Sequence, residues 1–241
     1  MKTPSRIVVA ALFAHPDDEA FGPAGTLTKL ARVGELHILC ATKGEAGKNS
    51  SASGERALDK IRVEELRKSA RIIGAKSVTF LGYKDGELSH NVYHDIAKKI
   101  EIVLRKIRPT IILTSEPRGG SGHIDHIVVS MVSSYVYERL WFIRVILYFC
   151  NTAKRALTSK NYFIYVPPGY KEEEIDLKVS VARVWETKIQ AMLQHKSQVH
   201  DSKRIMKRIK KFPKQENFLI ATKESKRTWV KFLTHTLSRV Q

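Results

Sequence analysis

The apolar run from Ile7 to Phe13 passes without a break into Ala14-His15-Pro16-Asp17-Asp18-Glu19. Continuous, apolar and rich in β-formers, the run reads as a buried strand. The polar residues after it limit where that strand can lie. One imidazole and three carboxylates within five residues cannot continue into a core, because burying unpaired charge is costly unless a partner or a metal compensates it. In open α/β sheets such residues emerge at the carboxyl edge of the strands, where ligands bind. The segment asks for a metal.

A second cluster answers it. Thr110-Ile111-Ile112-Leu113-Thr114-Ser115 is another buried-strand candidate, and Gly122-His123-Ile124-Asp125-His126 comes after it. Imidazole nitrogen with carboxylate oxygen suits zinc or another divalent ion, and a catalytic zinc takes three protein ligands and leaves one position for water. Together the clusters provide two histidines and an aspartate, with carboxylates and a histidine left for proton transfer.

Between and beyond the clusters, strand and helix patterns alternate. Helices are expected over Ala24 to Arg32, closed by Gly34, over Glu55 to Ile73, closed by Gly74, over Val92 to Ile107 and over Ile127 to Trp141. Strands are expected over Glu35 to Thr42, Ser77 to Leu81, Ile143 to Phe149 and Tyr162 to Val166. Gly44 to Gly54 is a long polar loop, Val181 to Val199 reads as one helix, and the basic stretch from Lys203 as another. The alternation predicts an α/β fold: a mostly parallel, Rossmann-like sheet with helices on both faces. The 241 residues form a single domain, with a basic helical segment from about residue 201.

Composition narrows the class further. Neither Cys40 nor Cys150 belongs to a C-x-x-C pair, which points to buried free thiols and away from thiolate metal binding. The first strand comes too early for a signal peptide, and Leu140 to Cys150 is too short and carries Arg144, so no membrane span and a cytoplasmic protein are expected. The net charge of +18, from 42 Lys and Arg against 24 Asp and Glu, raises nucleic acid or an anionic partner, but no zinc knuckle or RNP-type aromatic motif accompanies it.

These residues resemble the PIG-L/LmbE-like family of zinc-dependent deacetylases, which remove acetyl groups from N-acetylglucosamine-type amino sugars. Residues 14 to 19 match the family's A-H-P-D-D-E, and His123-Ile124-Asp125-His126 matches its H-P-D-H with Ile in place of Pro. In the expected order, Thr42 to Glu45 resembles T-x-G-E, Arg62 to Glu65 resembles R-x-E-E, and Leu81 to Gly86 resembles L-G-x-x-D-G. Lys188 to Gln198 matches the late K-x-x-A-x-x-x-H-x-S-Q pattern. The chain departs from the family just before His123, where an Arg or Tyr side chain is usual and Gly119-Gly120-Ser121-Gly122 stands here, with Arg118 the nearest long side chain.

The resemblance implies roles. His15, Asp18 and His126 are the zinc ligands and Asp17 the general base. His123 is a protonated group that stabilises charge or serves the departing amine, and Asp125 orients it as the third member of a triad does. Glu45, Arg62 and Asp85 are candidate sugar contacts. It implies hydrolysis of the N-acetyl group of a GlcNAc-containing small molecule or glycoconjugate by a metal-activated water, in an enzyme that forms homo-oligomers. An amidase on another N-acyl compound, or a non-catalytic basic protein that binds nucleic acid or another anion, are the rival readings.

Overall fold

A computed structural model describes residues 6–47, 58–159 and 165–240. Seven strands among them form one sheet in the order β3-β2-β1-β4-β5-β7-β6. The strands are β1 Val8–Phe13, β2 Glu35–Thr42, β3 Ser77–Tyr83, β4 Ile111–Ser115, β5 Val145–Cys150, β6 Leu177–Ser180 and β7 Gln215–Thr222. The first five are mutually parallel, and β7 runs antiparallel to β5 and β6. The fold is the expected α/β type.

Both faces are covered, which is why β1 reads as a continuous apolar run rather than an alternating one. Val9, Ala11 and Phe13 pack under α2 (Ala24–Val33), α3 (Leu58–Ile73), α7 (Trp185–Met192) and α9 (Lys226–Ser238). Ala10, Leu12 and Ala14 pack under α4 (Tyr93–Ile107) and α5 (Ile124–Arg139). Because β2 lies on one side of β1 and β4 on the other, the strand order reverses at β1. A crevice opens at the carboxyl ends of β1 and β4, where both polar clusters emerge.

Several expectations shift. Gly34 closes α2 in an extended conformation (φ −165°) rather than a left-handed one; it is needed because a Cβ there would lie 2.3 Å from the Ile7 carbonyl oxygen. Gly74 does take a left-handed conformation (φ 94°), and its N–H closes α3 on the Ala70 carbonyl. The single helix expected over Val181 to Val199 is broken into a 3-10 turn (Ala182–Val184), α7, a second turn (Lys196–Gln198) and α8 (Val199–Ile209). The break lets His195, Ser197 and Gln198 face different neighbours.

Residues after 201 are not only helical, since β7 is inserted between β5 and β6. Residues 48–54 of the polar loop, the expected helix start at 55–57 and most of the strand expected at Tyr162 lie outside the described residues; Tyr165 and Val166 are in no strand. Cys40 and Cys150 are buried free thiols. No helix among the described residues is long and apolar enough to cross a membrane.

Candidate active site

At the end of β1 the chain turns sharply into the single-turn helix α1 (Asp18–Phe21). The Asp18 carboxylate folds back so that Oδ2 accepts the backbone N–H groups of Ala14 (3.1 Å) and His15 (2.9 Å), while Oδ1 lies 3.1 Å from His126 Nε2. His126 arrives from the first turn of α5, and its Nε2 is 3.1 Å from His15 Nδ1. His15 Nδ1 is in turn 3.8 Å from Asp18 Oδ2. Donors at ~2.0–2.1 Å from a tetrahedral ion are separated by about 3.3 Å, so the three side chains fit a divalent metal.

The outer nitrogens fix the rings. His15 Nε2 lies 3.0 Å from both Asp125 Oδ2 and Asp85 Oδ1. With carboxylates on that side, Nε2 carries the proton and the Nδ1 lone pair turns to the ligand position. His126 Nδ1 donates to the Gly119 carbonyl at 3.0 Å, which turns its Nε2 inward in the same way. Gly119 sits at φ 73°, and a Cβ there would press on His123 O and the His126 side chain at 3.0–3.1 Å. Glycine at 119 thus lets the backbone carbonyl that holds His126 approach it without a side chain pressing on the ring-bearing turn. Burial opposes a charge on His15, but the bonds to Asp125 and Asp85 and the charge of Asp18 outweigh it and raise its pKa to about 10. A pocket that attracts a proton so strongly attracts a cation for the same reason. A second grouping, His15 with His123 and Asp125, also brings donor atoms within 4.8 Å, but it draws on the His15 Nε2–H that Asp125 and Asp85 already accept.

Asp17 stands beside this triad in a left-handed conformation, with φ 112°. Such a conformation costs about 1–3 kcal/mol for a side-chain-bearing residue and persists only where neighbours over-determine it. Here Glu19 Oε2 accepts the Asp17 N–H at 3.0 Å, and Arg62 Nη2 donates to Asp17 Oδ2 at 2.9 Å and to the Pro16 carbonyl at 2.6 Å. Glu19 is itself buried, with Oε1 bonded to Ser69 Oγ (2.5 Å) and His195 Nε2 (2.8 Å). Burial pushes the Asp17 carboxyl up, Arg62 partly opposes this and Asp18 adds to it, leaving it at about 7.

Asp125, expected to orient His123, makes its described carboxylate contacts elsewhere. Its carboxylate serves His15 and the backbone N–H of Gly86 (2.8 Å), while its own N–H donates to His123 Nδ1 (3.1 Å). His123, the N-cap of α5, is thus held through Nδ1 at the helix terminus. It is not favoured as an imidazolium: burial and the nearby His15 and His126 lower its pKa. With Nδ1 accepting, the neutral ring carries its proton on Nε2.

The expected sugar contacts also change character. Asp85 and Arg62 line the cleft, but Asp85 is bound to His15 and Arg62 clamps the Pro16 and Gly44 carbonyls and Asp17. Gly44, at φ 72°, lets the loop close on that guanidinium, since a Cβ would meet Arg62 Nη1 at 2.3 Å. Glu45 is not among the cleft-lining residues and accepts the Asp85 N–H at 3.3 Å. Arg118 stacks on Tyr170 (4.1 Å) and pairs with Glu116.

The cleft measures about 790 Å³, and its lining also includes Asn151, Arg155, Gln198, Arg204 and Arg208. Of these, only Gln198 belongs to a sequence motif.

Residues 10–136, more than half of the chain, match the PIG-L family, described as GlcNAc-PI de-N-acetylase, and the span contains both polar clusters. The chain belongs to that family. A probable N-acetyl-α-D-glucosaminyl L-malate deacetylase 2 of Bacillus cereus is 28% identical over 199 residues, 79% of this chain and 83% of the relative. The fold is shared with the N,N′-diacetylchitobiose deacetylase of Pyrococcus horikoshii (TM-score 0.66, 24% identity, 90% of this chain and 85% of that one). It is shared equally with a 4-carboxy-2-hydroxymuconate hydratase of Pseudomonas putida (TM-score 0.69, 15% identity, 91% and 98%). One scaffold carries both reactions, so the reaction is argued from side chains.

Proposed function

We propose that this member of the PIG-L family is a zinc-dependent N-deacetylase that releases acetate from a GlcNAc-containing small molecule. The observation that carries the reading is the convergence of His15, Asp18 and His126 at ligand spacing, with the strained Asp17 carboxylate alongside.

Bound in that triad, zinc supplies Lewis acidity, drawing the pKa of a water towards ~7 and polarising the amide carbonyl. Asp17 takes the proton of the attacking water on Oδ1, its Oδ2 being engaged by Arg62. A carboxyl near 7 both accepts a proton and returns it at neutral pH. His123 donates from Nε2 to the oxygen of the tetrahedral adduct, an interaction of the kind worth ~10²–10³ in rate. As the C–N bond breaks, the proton held by Asp17 passes to the amine and acetate leaves.

Acetate release from N-acetylglucosamine and its glycosides tests this, with metal-loaded protein compared against a chelated control and Asp17→Ala. Hydrolysis is expected to need the metal, and Asp17→Ala is expected to keep bound zinc while losing most activity. Full activity in the chelated protein or in Asp17→Ala refutes the scheme.

A further inference from the structure

The turn between β4 and α5 carries the carbonyl that orients His126, and its residues are poorly suited to holding a carbonyl still. Gly119 and Gly120 both take left-handed conformations, at φ 73° and 67°. A peptide unit flanked by two glycines meets no side-chain resistance when it rotates, so it turns over at little cost. A Cβ on Gly120 would meet nothing within 4 Å. Glycine is needed there for its conformation and not for space.

One side chain removes that freedom. Glu116, next after β4 and 2% exposed, folds its carboxylate back into the turn. Its Oε1 accepts the Gly120 N–H at 2.8 Å, and its Oε2 accepts the Arg118 N–H at 2.9 Å and the Tyr170 hydroxyl at 2.7 Å. The Glu116 backbone is tied as well: its N–H donates to the Phe149 carbonyl at 3.0 Å, and its carbonyl accepts the Gly119 N–H at 2.8 Å. Tyr170 is anchored just beyond β5, with its N–H on the Asn151 carbonyl at 2.9 Å and its carbonyl accepting the Ala153 N–H at 2.8 Å. The carboxylate is therefore fixed from the sheet.

The Gly120 N–H and the Gly119 carbonyl are the two ends of one planar trans peptide unit, and they point in opposite directions. Glu116 holds the first end, so the second is aimed at His126 Nδ1, 3.0 Å away. Were the unit to turn over, an N–H would face Nδ1 instead. The ring would then accept at Nδ1 and carry its proton on Nε2, the nitrogen turned to the ligand position. A protonated nitrogen cannot hold a metal.

We infer that Glu116 is a positioning residue for His126, acting through the Gly119–Gly120 peptide to keep Nε2 free for the metal. It does what the carboxylate of a carboxylate–histidine–metal arrangement does, with one peptide unit inserted between acid and ring. The inference rests on the reading of His15, Asp18 and His126 as a metal triad, and it extends the ligand support to a residue ten positions before His126.

Two measurements test it: proton exchange of the Gly120 amide and of His126 Nδ1–H, followed by NMR in metal-free protein, and zinc affinity, followed by competition with a chelator. In the wild type both protons should exchange slowly. In Glu116→Ala both should exchange about tenfold faster or more, with the amides of β4 and α5 unchanged, and zinc should bind about tenfold more weakly. Glu116→Gln keeps an oxygen for the Gly120 N–H and should recover part of both. A general loosening would speed the amides of β4 and α5 too, and that result overturns the inference. Wild-type zinc affinity in a folded Glu116→Ala protein overturns it as well. Should that variant fail to fold, the wild type decides alone: slow exchange of both protons supports the role, and a Gly120 amide exchanging as fast as an unbonded glycine removes it. If the wild type binds no zinc at the triad, the deacetylase reading fails, while the two exchange rates in the metal-free protein still decide whether Glu116 sets His126.

Discussion

Replacing Asp125 with Ala separates two accounts of the same residue. If Asp125 orients His123, the loss falls on kcat and leaves metal affinity alone. The structure puts its carboxylate on His15 instead, at 3.0 Å, with Asp85 sharing the same Nε2. Removing one of two charge-assisted bonds to a ligating imidazole forfeits about 1.5–3 kcal/mol, and outer-shell partners of metal ligands typically govern 10–100-fold in affinity. The expected result for Asp125→Ala is therefore zinc binding weakened about 10–100-fold, measured by competition with a chelator. Asp125→Asn, which keeps an acceptor but loses the charge, should fall in between. The Gly86 N–H also loses its acceptor, so a stability loss of about 1–3 kcal/mol is expected alongside; affinity is to be read well below the melting temperature. Wild-type zinc affinity in a folded Asp125→Ala protein with low kcat would refute the assignment to His15 and restore the link to His123.

Two further outcomes rest on the same network of contacts. Asp17 is raised from 3.8 to about 7 and must be ionised to act as base, so kcat/KM should rise as pH increases through about 7; a profile already flat from pH 5 upward would remove Asp17 from that role. Lys188→Met leaves the Glu216 carboxylate buried without its cation, and breaking such a pair costs about 3–5 kcal/mol, lowering the melting temperature by about 6–20 °C; an unchanged melt would refute a structural role for the pair.

The parallel half of the sheet and the two polar clusters at its edge are legible in the sequence because both are local facts, apolar runs of strand length followed by the residues they deliver to the edge; which side chains of the clusters hold a metal is implied only by the family resemblance. The features that escape the sequence depend on pairing across long separations. β7 opens with Gln215, Glu216 and Asn217, polar residues that argue against a buried strand. Yet Glu216 is 1% exposed, because Lys188 neutralises it and the N-terminus of α2 donates two N–H groups to it. The role of Asp125 is hidden for the same reason, since it is two residues from His123 in sequence but its carboxylate meets a ring 110 residues away. Two arginines of the cleft lining, Arg204 and Arg208, sit in a stretch whose charge reads first as a solvated helix face. Only the fold shows that Arg155 joins them.

The early and late motifs are parts of one device for holding Asp17 in a conformation it would otherwise leave. Its backbone N–H is fixed by Glu19, and Glu19 is fixed by Ser69 on α3 and by His195. His195 is carried by the broken segment after α7, which is tied to α3 again where Ser197 N and Oγ donate to Glu65 at 2.8 and 2.7 Å. Within α7 itself, Lys188 reaches the Gly22 carbonyl just beyond α1. An uninterrupted helix from Val181 to Val199 could not aim Lys188, His195 and Ser197 at three such targets. The break in that helix and the strain at Asp17 are therefore one feature seen from its two ends, each held in place by the network that joins them.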